Sequence, residues 1–286
     1  MGVIVDIAFQ SLAYASVLYL ISVGLSVTLG LMGFVNLAHG IFAMAGGYLA
    51  AVAVSSYGVP WPVMLVASPL AVAVLAALLE RALYARLYGR SELDQVLFSI
   101  GLIFIAGAIV RLLLGPMLRP MPLPASLLQQ VQLGPFSFYA YKLLVIGVGA
   151  LTAAGILLGL ERTRVGAMIR AAVENRGMAE SVGLRTSSIF TATFAFGGAL
   201  GALGGILGAD VFGLNPAYAF DVLVYVQIVV AVAGLGTLRG SFLAALLIGL
   251  VQTLSAYYAP ALGTILLFLA VFLFLLLRPR GLFGRL

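Results

Sequence analysis

Long uncharged apolar runs, cut by short charged or Pro/Gly-rich interruptions, set the pattern of this chain. Residues 7–79 carry no charged side chain, and at about 20 apolar residues per crossing that run holds three membrane spans. Tyr57-Gly58-Val59-Pro60-Trp61-Pro62 separates the second span from the third, and Trp61 suits a membrane interface. A fourth span is expected at 95–114, with Arg111 near its end. Residues 143–160 supply a fifth if Lys142 snorkels to the interface. Residues 186–209 supply another, 222–238 form a short one, and 240–277 hold two more. The pattern predicts an all-α polytopic membrane protein with eight clear spans and one short one, some interrupted, in a single membrane-embedded domain over 1–286. Residues 115–138 contain Pro116, Pro120, Pro122, Pro124 and Pro135 with no helical period, and are expected as an external loop. Asn215-Pro216 marks a further turn. No second domain and no convincing direct repeat is read from the pattern.

Composition sharpens this. Of 286 residues 63% are apolar and 8% charged, with mean hydropathy +1.20, where a soluble domain carries about 25% charge. A soluble enzyme, a disordered chain and a disulfide scaffold are excluded, the last because there is no Cys. The cations cluster at Arg81, Arg86 and Arg90, at Arg162, Arg164, Arg170, Arg176 and Arg185, and at Arg278, Arg280 and Arg285. Cytoplasmic loops concentrate Arg and Lys, so these three clusters and the C-terminus are expected inside. Loops 115–138 and 210–221 are poorer in cations. Alternation requires 222–238 to cross, and parity then puts the N-terminus outside. No Lys or Arg precedes Arg81, which argues against a cleaved signal peptide.

Little in the chain supports catalysis. A metal site needs several His, Cys, Asp or Glu ligands, and His39 is the one histidine. An ion-coupled carrier places ionisable groups at mid-membrane; none is read there, although Na⁺ sites built from carbonyls escape that test. An intramembrane Ser–His hydrolase stays open because Ser22, Ser26 and Ser56 lie in spans, but no nucleophile-elbow motif accompanies them. No phosphate-binding G-x-x-x-x-G-K-[ST] loop occurs, and the single lysine, Lys142, follows Tyr141. Energy for any pumping would come from a partner. No cofactor and no nucleic acid is expected on this chain.

Three segments interrupt the apolar pattern. In 161–188, residues 166–182 fit one short amphipathic helix with Met168, Ile169, Ala172, Val173 and Met178 on a face and Arg170, Glu174 and Arg176 elsewhere. Thr163 is placed to cap its start, and Gly183-Leu184 to stop it. Such a helix either lies at the interface with a solvated charged face or docks on a cytoplasmic partner. The second segment, Gly33-Phe-Val-Asn36-Leu-Ala-His39-Gly40, reads as an interrupted helix or as a tight turn. In either case Asn36 is expected as an N-cap. In the third, Gly234-Leu-Gly236-Thr237-Leu-Arg239-Gly240, the glycines serve close packing or a bend.

The stretch R-T-R-V-G-A-M-I-R-A-A-V-E-N-R-G-M-A-E-S-V-G-L resembles the coupling loop of the branched-chain amino acid ABC permeases of the LivH/LivM type. The family pattern is R-T-x-x-G-x-x-I-R-A followed by N-R-E-A-A-x-x-x-G-I. Arg162, Thr163, Gly166, Ile169, Arg170, Ala171, Asn175, Arg176, Ala179 and Gly183 match it in register. Gly177 and Met178 depart from it, where the family often has Glu and Ala; Gly177 should loosen a helix by about 1 kcal/mol relative to Ala. Gly33, Asn36, Leu37, Ala38, His39 and Gly40 match the family's G-x-x-N-[FL]-A-H-G, with Ile41 where it often has an acidic or polar residue. Residues 231–241 resemble its G-G-x-G-[ST]-x-x-G, and 278–284 its R-P-x-G-L-F-G ending.

The resemblance extends from near Gly24 to Phe283 and implies the ABC importer permease fold. It implies coupling to an ATPase through Arg164, Gly166, Ile169, Arg170, Glu174, Asn175, Arg176, Ala179 and Gly183. It implies a translocation pathway or helix break at Gly33, Asn36, His39, Gly40, Gly234, Gly236, Thr237 and Gly240. Implied partners are a second permease subunit, like or unlike, two cytoplasmic ABC ATPases that use the ATP, and an extracytoplasmic substrate-binding protein. The implied setting is a bacterial or archaeal inner membrane, and the implied cargo a branched-chain or other apolar amino acid. Urea and short amides are alternatives within the family, and a secondary carrier or channel without an ATPase is the alternative outside it.

Overall fold

α1, Gly2–Met32, is the axis of the bundle. The computed structural model describes residues 2–32, 34, 36–234 and 236–283. α1 is apolar on every face, as a membrane span or a buried helix is, and it is enclosed: Leu18, Tyr19, Leu20, Ile21 and Val23 are all buried. The chain then makes a short 3-10 turn, Leu37–His39, and continues as α2, Gly40–Tyr57. α3 is Trp61–Ala82 and α4 is Glu92–Leu114, the latter capped by Ser91, whose hydroxyl accepts from the Asp94 amide at 3.2 Å. After an external stretch come α5, Ala140–Arg162, and two short helices, α6, Arg164–Glu174, and α7, Arg176–Ser181. α8, Thr186–Phe212, α9, Tyr218–Ala233, α10, Leu238–Tyr258, and α11, Gly263–Leu277, complete the chain.

Eight of these segments are long and apolar enough to cross a membrane, with α9 shorter at 16 residues. This is the number that the apolar runs predict. α9 is displaced toward the N-terminus from the expected 222–238, because Tyr218 and Ala219 are buried in the bundle and extend its start.

α8 lies antiparallel to α1, with Gly208 against Val17, Gly204 against Ile21 and Gly197 against Gly24. Its opposite side meets α2 and α3, where Gly205 abuts the Ala43 backbone and Gly198 abuts Ala76. α10 runs antiparallel along another side of α1, fixed by the Ser26 and Ser241 hydroxyls 2.7 Å apart and by the edge-on rings of Tyr19 and Phe242. α4 and α11 are peripheral. Ile105, Ile109 and Leu112 on the first, and Ile265, Leu269, Phe272 and Leu276 on the second, stand exposed, as lipid-facing side chains do.

Two ends of the bundle differ in charge. The joint 234–237 meets the end of α1 at Gly30, and the C-terminal residues return to it, with the Leu282 amide donating to the Val232 carbonyl at 2.8 Å. The ends of α3 and α8 join there through the Thr191 hydroxyl, which donates to Glu80 at 2.7 Å. At the other end the Arg119 amide donates to the Leu214 carbonyl at 2.8 Å, and Phe9 stacks on Phe138 at 4.2 Å.

Several expectations are corrected. Residues 115–138 are not loop throughout: β1, Gln130–Leu133, and β2, Phe136–Tyr139, form an antiparallel hairpin turned at Gly134-Pro135. Trp61 does not face headgroups; it is buried and packs against Tyr141 at 6.2 Å. Lys142, expected near an interface, is partly buried at the start of α5, and its ammonium donates to Gln10 Oε1 on α1. The amphipathic segment is two helices, since Asn175 adopts extended backbone angles (φ −151°, ψ 94°) and turns its side chain to cap α7.

The α1–α8 contact has no spare room. A Cβ on Gly204 would lie 2.5 Å from Ile21 Cγ1 and 2.8 Å from the Ile21 amide nitrogen, whereas one on Gly155 meets nothing within 4 Å. Gly204→Leu is expected to destabilise the chain by about 1–3 kcal/mol, and Gly155→Ala to leave it unchanged or raise it by up to about 1 kcal/mol. Melting in detergent checks this, and a Gly204→Leu chain that melts with wild type refutes the close packing.

Candidate functional site

The described residues of the first interruption are mostly buried. Phe34, Asn36, Ala38 and His39 are buried, which is the condition under which unwound backbone is tolerated at membrane depth. Gly33 lies outside the described residues. Asn36 precedes the 3-10 turn but does not cap it with its side chain. Its Oδ1 instead accepts from the Tyr84 hydroxyl at 3.2 Å. The competing partner is a buried phenol whose donor has to be satisfied. Phe34 packs edge-on to the same Tyr84 ring at 5.3 Å, so the joint is clamped to the end of α3.

His39 fills the crossing of α1, α2 and α8. A Cβ on Gly24 would sit 2.8 Å from its Nε2 and one on Gly201 3.0 Å from it. Only glycine at both positions leaves the imidazole its space. The ring lies edge-on to Phe42 at 5.7 Å. Neither ring nitrogen meets hydrogen-bond geometry with a described group, the Ile21 carbonyl being the backbone group beside the ring. No seryl oxygen bonds to it among the described residues: Ser22 donates to the Tyr19 carbonyl at 3.3 Å, and Ser26 pairs with Ser241. The Ser–His pair of a hydrolase is therefore not assembled. Gly40 follows directly and abuts the Ala219 backbone of α9.

The second interruption, 234–237, is satisfied from within. The Thr237 hydroxyl reaches the Ala233 and Gly234 carbonyls at 3.0 and 2.8 Å, and the Thr237 carbonyl accepts from the Ser241 amide. Gly236 has φ +73° and presses on Gly30, whose Cβ would lie 2.7 Å from Gly236 Cα. A side chain here would be strained by its own backbone as well as by its neighbour. Gly240 has no space for a Cβ beside Thr237 and Ala233. Packing and bend, alternatives in the sequence, are both present.

The third element is the α6–α7 pair. Thr163 caps α6, its hydroxyl accepting from the Gly166 amide at 3.2 Å. Asn175 caps α7, its Oδ1 accepting from the Met178 amide at 2.9 Å. Gly183, at φ +87°, lets the Leu184 amide return to the Ala179 carbonyl at 3.0 Å and so ends the pair. Gly166, Ala172 and Ala179 are buried, with Ile169 partly so, and α6 rests on α5, α8 and the end of α1. Arg164 and Arg170 are exposed. The side chains of Val173, Glu174 and Arg176 lie outside the described part of the chain. Met168 and Met178, expected on one face with Ile169 and Ala172, are 38% and 68% exposed; the break at Asn175 turns α7 away from the face of α6.

The sequence reading missed the stripe Gly197, Gly198, Gly201, Gly204, Gly205 and Gly208, although its spacing is the small-residue signature of close helix crossing. It also missed Tyr84, for which one sequence offers no signal.

A bundle of membrane-length helices around a glycine-lined centre, with two backbone joints and a capped helix pair outside the spans, defines a polytopic helical membrane protein. Residues 7–277 match the family described as branched-chain amino acid transport system / permease component, and the chain belongs to that family. It is 27% identical to the high-affinity branched-chain amino acid transport system permease protein BraD of Pseudomonas aeruginosa, over 96% of this chain and 94% of the relative. It is 25% identical to the LivH permease of Escherichia coli K12, over 97% and 94%, and to a probable LivH permease of Methanocaldococcus jannaschii, over 89% and 82%. No solved structure matches the chain.

Tyr84→Phe removes the donor that holds Asn36 and leaves a buried amide oxygen unpaired. The expected loss is about 1–3 kcal/mol, read as a lower melting temperature in detergent. Unchanged melting would show that the clamp does not hold the joint.

Proposed function

We propose that this chain is a membrane subunit of an ABC importer for branched-chain amino acids in an inner membrane, driven by ATP hydrolysis on a separate chain. The observation that carries the reading is the α6–α7 pair, joined to α5 through Thr163 alone and resting on α8. Its exposed side includes apolar Val165, Met168, Met178 and Val182, the last two 68% and 73% exposed and outside any span. Apolar side chains displayed beside Arg164 and Arg170 suit a protein groove better than water. An ATPase subunit seated there would move α5 and α8 with α6. In this reading Glu174, Asn175, Arg176 and Ala179 belong to the coupling surface, while Gly33–Gly40 and Gly234–Gly240 lie where the pathway helices bend.

The positive-inside rule then places the end bearing Arg81, Arg86, Arg90, Arg162–Arg185 and Arg278–Arg280 in the cytoplasm. Nine crossings put the N-terminus and the hairpin outside, facing an external substrate-binding protein. A second permease subunit completes the pathway, and two ATPases bind the coupling surfaces. This chain carries no cofactor of its own.

Co-purification with the ATPases encoded beside it tests the reading. Met178→Asp combined with Val182→Asp should lower recovered ATPase about tenfold or more without changing the melting of the permease. Leucine transport by this chain alone, in vesicles free of ATP, would overturn the importer assignment.

A further inference from the structure

A cavity of about 420 Å³ opens beside α1 at the end of the bundle that carries the hairpin. Its walls come from α1, α5, α8 and α10. Its apolar lining, called the floor below, includes Ile7 and Val17 of α1, Val145 of α5 and Leu207 of α8, beside the rings of Tyr14, Tyr141 and Tyr257. Set into this surface are charges of both signs. Lys142, the one lysine of the chain, is half-buried at the start of α5. Its ammonium donates to Gln10 Oε1, and the other end of that amide donates to Asp6 at 3.3 Å. No carboxylate pairs with Lys142 directly among the described residues. The lining also includes the exposed Asp210 on α8 and Gln252 on α10, whose Oε1 is buried with no hydrogen-bond partner.

Each polar group is incompletely matched, and in a complementary sense. A partly buried ammonium that leans on a neutral amide gains from a carboxylate. A buried amide oxygen without a donor gains from an N–H. The aliphatic floor between them gains from a hydrocarbon. The volume falls in the range of small-molecule sites. The cavity closes where α5 meets α1, since a Cβ on Gly149 would lie 2.7 Å from Ser16 Cβ. Beyond that contact a second cavity of about 660 Å³ lies along the same α1–α5–α8 seam, lined by Ile156, Phe196 and Ile169 of α6.

We propose that the first cavity is a binding site for a zwitterionic amino acid with an aliphatic side chain, on the entry side of the membrane. Lys142 receives the carboxylate, Asp210 and Gln252 receive the ammonium, and the floor receives the side chain. The Gly149–Ser16 contact separates this entry site from the cavity above α6. The assignment deepens the importer reading and rests on it.

Because the chain contains no cysteine, a single Thr253→Cys on the α10 wall reports occupancy through its reaction with a membrane-impermeant methanethiosulfonate. The measurement uses the assembled transporter in proteoliposomes. L-Leucine at a concentration saturating uptake should slow labelling about fivefold or more. 4-Methylpentanoate and isoamylamine, each lacking one of the two charges, should not. Lys142→Gln should abolish protection by leucine and Lys142→Arg restore it, with Thr253→Cys labelled equally fast in the absence of ligand as the check on folding. If the wild-type transporter accumulates leucine but labelling is indifferent to it, or if 4-methylpentanoate protects equally well, the site assignment falls and the importer reading stands. If the wild-type transporter accumulates no leucine, the cargo reading falls and takes the site with it.

Discussion

Direct contact between the backbones of α1 and α8 is the constraint on which the remaining structure depends. Within a bilayer, lipid tails are as apolar as the helices, so burial gives helices no reason to associate. Close approach does, through dispersion and satisfied polar contacts, and it requires small residues on the facing surfaces. α8 supplies them on two sides at once: Gly197, Gly204 and Gly208 face α1, while Gly198 and Gly205 face α3 and α2. These five glycines are thus divided between the α1 side and the α2–α3 side of α8. The position of His39 follows from the same contact, because Gly24 and Gly201 leave the gap that its ring occupies. α10 is then tied to the outer side of α1 by the Ser26–Ser241 pair.

The two backbone joints solve one problem by different means. An unwound segment at membrane depth exposes amides and carbonyls that lipid cannot satisfy. At 34–39 the solution is burial together with a clamp from Tyr84. At 234–237 it is local: the Thr237 hydroxyl turns back onto two carbonyls, and the Leu282 and Phe283 amides cover the Val232 and Ala233 carbonyls at 2.8 and 3.1 Å. The C-terminal R-P-R-G-L-F segment is therefore part of the second joint. Gly281, at φ +75°, brings that segment against Gly234.

The sequence made the spans legible, since about 20 apolar residues between breakers is a signal that lipid thickness enforces. Thr163 and Gly183 were legible because caps and stops are local. The facing of side chains was not. On helices that are apolar all round no periodicity marks the inward side, so the sequence does not show that Trp61 turns into the protein. The hairpin escaped because four-residue strands depend on pairing across Gly134-Pro135. The break at Asn175 escaped because the apolar face continues across it at helical spacing; the competing interaction is its own side-chain cap. The partner of Asn36 was illegible for another reason, namely that Tyr84 is distant in sequence and only tertiary packing brings it close.

The packing also determines where the fold has room to change. Gly24, Gly197, Gly204 and Gly205 admit no added atom, so α1, α2 and α8 form a block whose parts cannot slide without breaking backbone contact. α5 differs. A Cβ on Gly147, Gly155 or Gly159 would meet nothing within 4 Å, and the close approach at Gly149 is to a serine side chain rather than to backbone. α5 also runs without a loop into α6, with Thr163 ending one helix and capping the next. The α1–α5 seam, where both cavities lie, therefore has room that the glycine block lacks. α5 is thus the more loosely packed member of this seam, and it is the helix attached directly to the exposed pair through Thr163.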